Sequence, residues 1–137
     1  MTATDTLPAI GARIAFRKTM TVAEQAMFTG ISGNLGSQHV DATRARAEGA
    51  PGMIAFELAV AALATTCLAR LGGPSRRIGH MALSFLAPVP VGATVEASAE
   101  VIAAGAEGIV CQLVCAVDGA GTAVTGEARL VPLAVGA

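Results

Sequence analysis

The spacing of apolar and polar positions changes character several times along the chain. Between Gly11 and Met20, the apolar positions Ile14, Phe16 and Met20 alternate imperfectly with Arg13, Arg17 and Lys18, which predicts a strand. Thr21-Val22-Ala23-Glu24 then has the hydroxyl-to-carboxylate spacing of a capping box. A short helix is therefore expected through about Phe28, stopping at Gly30. Residues 31–40, ISGNLGSQHV, combine Gly, Ser, Asn and His and read as a loop. Asp41 can cap a short helical run, ATRARAEG, which Gly49 and Pro51 end.

Residues 54–73, IAFELAVAALATTCLARLGG, carry the strongest helical signal and are apolar on nearly every face before Arg70. A helix without a polar face has to be buried on most sides, so another element must wrap it. Four strand-like runs follow, at 80–90, 94–105, 108–119 and 122–133. Gly92, Gly105, Gly108, Gly119 and Gly121 punctuate them, which implies antiparallel neighbours joined by short turns. In the second run Val95, Ala97, Ala99 and Val101 alternate with Glu96, Ser98 and Glu100, the pattern of one buried and one wet face. The expected fold class is α+β, one long helix packed on an antiparallel sheet. Residues 1–10 read as a flexible lead-in and residues 11–133 as a single domain.

Composition narrows the function classes. The chain has 137 residues, enough for one core that removes roughly 70% of the unfolded surface from water. Hydrophobic residues make up 53% and charged residues 14%, which excludes a disordered tail. A net charge of -1, no Trp or Tyr, and only Phe16, Phe28, Phe56 and Phe85 for stacking argue against nucleic acid as a partner. Asp5 and Pro8 stand where a secretory leader needs a basic start and an apolar run. The stretch from Met53 to Leu71 is interrupted by Glu57 and is too rich in Ala and Thr to span a membrane. A cytoplasmic protein is expected. Cys67, Cys111 and Cys115 form no CxxC pair, and Cys111 and Cys115 share one strand face, so all three read as small buried hydrophobes. No metal-ligand spacing occurs, and no cofactor is called for.

Chemistry is concentrated around His39. An imidazole titrates near neutral pH and can act as a general acid or base, while the competing reading is a histidine that hydrogen-bonds its own loop; spacing alone favours the latter. His80, at the start of the first late strand, reads as structural. Glu57 is the only charge between Met53 and Arg70. A first-turn carboxylate complements the helix dipole, yet one entering a buried helix needs water, a partner or a ligand.

The order of segments resembles MaoC-like hot-dog proteins, the (R)-specific enoyl-CoA hydratases and 3-hydroxyacyl dehydratases. Their hydratase loop reads Ser-Gly-Asp-x-Asn-Pro-x-His-x-Asp, and this chain has Ser32-Gly33-Asn34-Leu35-Gly36-Ser37-Gln38-His39-Val40-Asp41. Residues 45–58, 84–101 and 122–132 are similar to the family's phrases before and after its central helix. The resemblance covers about residues 11–133. It implies a single hot-dog domain with its helix in a curved sheet, a homodimer with the acyl pocket at the subunit interface, and an acyl-CoA or acyl-carrier thioester as substrate.

Two positions depart from the family pattern. Asn34 stands where the family has an Asp that helps deprotonate water, and an amide cannot accept that proton at neutral pH. The family's Ile-Ala-His-Gly is here Ile54-Ala55-Phe56-Glu57, where backbone N–H groups would polarise the thioester carbonyl. Losing a general base costs about 10²–10⁴ in rate unless another group substitutes, and Glu57 is the candidate substitute. The resemblance thus implies His39, Asn34 and Glu57 as catalytic residues and Ser32, Gly33 and Phe56 against the substrate. Two alternatives stand beside hydration or dehydration. One is thioester hydrolysis using Glu57, as in hot-dog thioesterases. The other is a domain that binds, cyclises or isomerises a ligand without activating water. Arg44, Arg46, Arg70, Arg76 and Arg77 flank the central helix and include any that meet carrier phosphates.

Overall fold

The computed structural model describes residues 6–134. Residues 1–5 of the expected lead-in, Asp5 among them, lie outside the described residues. Strand β1 (Arg13–Thr19) leads into α1 (Val22–Ser32), a single turn α2 (Ser37–Val40), α3 (Ala42–Ala47) and the long α4 (Glu57–Gly72). Strands β2 (Arg76–Phe85), β3 (Thr94–Gly105), β4 (Gly108–Val117) and β5 (Gly121–Pro132) follow. They form one open antiparallel sheet in the order β1-β3-β4-β5-β2, so β1 and β2 are its edges.

Register places the apolar positions on one side. Ala97 lies opposite Cys115, Ala99 opposite Leu113 and Val101 opposite Cys111, and all six are buried. Small residues on this face let α4 come close. Val60, Ala64, Cys67 and Leu68 press onto it, and the helix packs chiefly against β1 and β3. Each fully buried Val or Leu here is worth about 1.5–3 kcal/mol. Register shifts at Ile78/His80, Val101/Ala103 and Cys115/Ala116 interrupt the ladders, and such bulges bend a strand. The β3–β4 turn depends on Gly108, where φ is +144° and a Cβ would lie 2.3 Å from the Leu130 carbonyl oxygen. The exposed, polar outer face carries ion pairs of Arg13 with Glu96 and of Arg17 with Asp118.

Several expectations are corrected. Helix α1 runs past Gly30 to Ser32, because Gly33, at φ +73°, provides the left-handed cap and returns its N–H to the Thr29 carbonyl. Residues 31–40 are therefore not all loop, and His39 sits on the α2 turn. Helix α4 begins at Glu57 rather than Ile54. Ile54 is extended and bridges Pro90, while its N–H donates to the Gln38 carbonyl and that of Ala55 to Val89. Strand β2 starts at Arg76, four residues before His80, because Arg76 already pairs with Pro132. The sheet covers α4 on one side only: Leu58, Ala62, Thr65 and Ala69 remain exposed in the single chain. Ser98, expected on the wet face, is buried between β1 and β4.

Candidate active site

Three tight local features aim His39 inward. The Gly33 cap ends α1, Gly36 opens α2, and the Asp41 side chain accepts the Arg44 N–H to start α3. Asn34 shapes the same reversal, its Oδ1 accepting the Gly36 N–H at 2.8 Å. The result is a histidine whose side chain has 5% of its surface exposed.

His39 Nδ1 lies 2.7 Å from the Ile54 carbonyl oxygen. A carbonyl can only accept, so Nδ1 carries the proton and, in the neutral ring, the lone pair is on Nε2. Nε2 faces the Gln38 amide nitrogen at 3.2 Å and Glu57 Oε2 at 3.7 Å. One face of the ring stacks on Phe56, with centroids 4.2 Å apart, and Phe56 in turn leans on Phe28 at 4.7 Å. Phe56 is fully buried, whereas the Glu57 side chain keeps 45% of its surface exposed. The pair thus runs from a sheltered imidazole to a solvated carboxylate. Phe56, the N-cap of α4, has no side chain to cap the helix, so the backbone N–H groups of its first turn open beside the pair.

The structure brings His39, Phe56 and Glu57 into one cluster. Asn34 lies nearby across Gly36, where a Cβ would come 3.2 Å from Asn34 Oδ1 and 3.4 Å from His39 Cδ2. Ser32 is occupied locally, its hydroxyl donating to the Phe28 carbonyl and accepting from the Asn34 N–H. Gly33 acts through its backbone as the α1 cap. Sequence reasoning missed Gln25, Gln38 and Phe28. Gln25 is buried and its Nε2 donates to the carbonyl oxygens of both His39 and Ile54. Phe28 lay in view as an aromatic at the expected helix end; the glutamines carried no signal beyond polarity.

A family model for the MaoC like domain matches residues 5–118. The chain belongs to the MaoC-like domain family. Among solved structures, this MaoC-like domain is similar to an (R)-hydratase from A. caviae involved in PHA biosynthesis. The two share 27% identity over 91% of this chain and 97% of that one, with a TM-score of 0.86. It also resembles the R-hydratase PhaJ1 from Pseudomonas aeruginosa (20% identity, 91% and 82% covered, TM-score 0.84). A third likeness is to the ChsH1-ChsH2 complex from Mycobacterium tuberculosis (21% identity, 92% and 99% covered, TM-score 0.82). No curated protein matches the sequence. The hot-dog fold expected for a MaoC-like chain is the fold found.

The basic residues separate along this MaoC-like domain. Arg44 and Arg46 ride on α3, directly after the His39 turn. Arg70, Arg76 and Arg77 gather at the far end of α4, a helix about 24 Å long, and Arg76 there donates to the Gly72 carbonyl. Among the described residues, no helix is long and apolar enough to cross a membrane.

Proposed function

We infer that this domain hydrates a 2-enoyl thioester, or dehydrates the 3-hydroxyacyl product, with His39 and Glu57 as its proton-handling pair. The observation that carries the reading is a sheltered imidazole whose Nδ1–H is pinned to a carbonyl and whose Nε2, accepting from the Gln38 amide at 3.2 Å, lies 3.7 Å from a carboxylate. A water oxygen about 2.8 Å from both Nε2 and Oε2 fits the 3.7 Å gap between them. Nε2 takes one proton from that water as its oxygen adds to C3 of the enoyl group. Electron density moves onto the thioester oxygen, where the first-turn N–H groups of α4 stabilise it. Imidazolium, balanced meanwhile by Glu57, returns the proton to C2. Asn34 keeps only its amide N–H groups to offer a water or hydroxyl, Phe56 backs the ring, and Ser32 and Gly33 shape the wall beside it.

The working form in this reading is a homodimer in the cytoplasm, with the acyl pocket between subunits. Ile78, Phe85 and Leu86 lie uncovered along the open β2 edge, and Met27, Ile31, Leu35 and Leu58 lie uncovered around the site. Clefts of the single chain around Ala103–Gly108 and around Ser84 and Gln112 are not lined by His39, and in this reading a second copy supplies the other wall of the acyl tunnel. Arg44 and Arg46 are the arginines on the His39 side for coenzyme A or carrier-arm phosphates. The identity of the acyl group is the specialised part of the assignment.

Crotonyl-CoA and longer 2-enoyl-CoA substrates should lose enoyl absorbance with the wild-type protein. Silence across all chain lengths overturns the reading. Hydrolysis is the second reading, favoured by the exposure of Glu57 at a helix N-terminus; it predicts free-thiol release from acyl-CoA that collapses in Glu57→Gln. If neither signal exceeds buffer, the domain is a ligand-binding, cyclase or isomerase variant.

A further inference from the structure

We propose that Gln25 is a positioning residue that sets which nitrogen of His39 is the base, by gripping the carbonyl that accepts the other nitrogen's proton. Its kinetic consequence rests on the hydratase reading above; its structural consequence does not. Gln25 comes from α1, yet its Nε2 lies 2.7 Å from the His39 carbonyl oxygen and 3.0 Å from the Ile54 carbonyl oxygen. Both are acceptors, so the amide has one admissible orientation, with its N–H groups toward them. The Ile54 carbonyl then receives two donors, Gln25 Nε2–H and His39 Nδ1–H, which occupies both of its lone pairs. The Ile54 N–H is tied as well, to the Gln38 carbonyl. One side chain therefore joins α1, the His39 turn and the approach to α4 at the atom that fixes the imidazole.

This grip leaves Gln25 Oε1 buried with no hydrogen-bond partner. A stranded acceptor destabilises a fold, and an apolar side chain of the same size would avoid it. Packing alone does not ask for an amide here, whereas holding two carbonyls does. The chemical gain lies in the tautomer. Neutral histidine free in water favours the proton on Nε2, which would leave no lone pair facing Glu57. A carbonyl held in place at Nδ1 reverses that preference, the Gln38 amide N–H meets the unprotonated Nε2 at 3.2 Å, and that nitrogen stays beside Glu57, where a water that displaces the amide would be activated.

The ring nitrogens can be read directly. The chain has two histidines, so a ¹⁵N imidazole spectrum contains two sets of signals. His80→Gln, which removes the exposed ring on β2, identifies those of His39. The wild type with a neutral ring should show His39 with a protonated Nδ1 and a bare Nε2. In Gln25→Met, which keeps the volume without the donors, the two tautomers should mix. The kcat for enoyl hydration should fall about 10-fold to 100-fold, with KM held within about twofold. Gln25→Asn, polar but too short to span both carbonyls, should behave the same way and serves if the Met variant does not fold. A wild-type ring protonated on Nε2 overturns the proposal, and so does a folded variant with unchanged ring signals and kcat. If the wild type turns over no enoyl thioester, the hydratase reading fails while the spectrum still decides the role of Gln25.

Discussion

Between α4 and the sheet, the packed face holds Val95, Ala97, Ala99, Val101, Cys111, Leu113 and Cys115, with no charge among them. The segment from Thr21 to Glu57 differs, because beside the buried Ala45, Ile54, Ala55 and Phe56 it encloses polar side chains. It buries Gln25 and His39 and leaves Val22, Met27, Ile31 and Leu35 in solvent. The first region is stabilised by apolar area removed from water, and its thiols register this: burial pushes Cys111 and Cys115 up to about 11. The second region is held by directed bonds from a few side chains to backbone carbonyls. Burial that is roughly proportional to area tolerates exchange of one hydrophobe for another, whereas a bonded arrangement depends on particular atoms. Under the proposed function, stability falls to one part of the molecule and chemistry to the other.

The largest effect should come from the bonded region. His39→Ala is expected to lower enoyl-CoA hydration by about 10²–10⁴, or roughly 3–5 kcal/mol of barrier, in a protein that still folds. Following enoyl absorbance beside a melting curve checks both halves, and full activity in the variant would remove His39 from the mechanism. Leu113→Ala should do the opposite. It should cost about 2–5 kcal/mol in denaturant unfolding while the folded fraction keeps its kcat. A loss of kcat at full occupancy of the native state would mean that the two regions are not separable.

Smaller effects sharpen the boundary between them. Thr21 and Glu24 form the capping box at the start of α1, and Lys18 of β1 also contacts the Glu24 carboxylate. Hydrogen bonds from Lys18 first, and then from Thr21, hold that carboxyl at about 2 against an ordinary 4.5. Because the folded value is the depressed one, the carboxylate contributes stability above about 4.5 and loses it as pH falls toward 2. The difference in Tm between wild type and Glu24→Gln should therefore be full near neutral pH and shrink below pH 4.5, which thermal melts across that range will show. Thr21→Ala should cost about 1 kcal/mol at neutral pH in denaturant titration. Smallest of all, Cys67, Cys111 and Cys115 should resist alkylation at pH 8 until the chain unfolds; a native thiol that reacts rapidly would mean that the core opens locally.

What could be read from the chain follows the same division. Thr21 and Glu24 are three residues apart, so their box was visible, and Asp41 before ATRARAEG announced its cap in the same way. The alternation around Val95 to Val101 placed a buried face correctly because strand periodicity is a local property. The start of α4 was not local. Ile54 and Ala55 continue the apolar pattern, and only their bonds to Gln38 and Val89 keep them out of the helix. Gln25 was invisible for the same reason. Its acceptors lie 14 and 29 residues away, and a glutamine on a short helix reads as surface. Exposed Met27 and Ile31 invert the ordinary rule that a helix hides its apolar residues, so periodicity offers no guide to the covered face of α1. His39 and Glu57 were found as candidates from residue type, and their 3.7 Å approach is a product of the fold.

Helix α1 has little packing against the strands or α4, and Gln25 is its one buried residue. Elements anchored this lightly open first, well before the global transition. On warming, α1 should swing away while β3, β4 and β5 are still paired, and the hold on Ile54 would go with it. Activity would then disappear at a temperature where circular dichroism still shows an intact sheet, so the protein stops working before it melts.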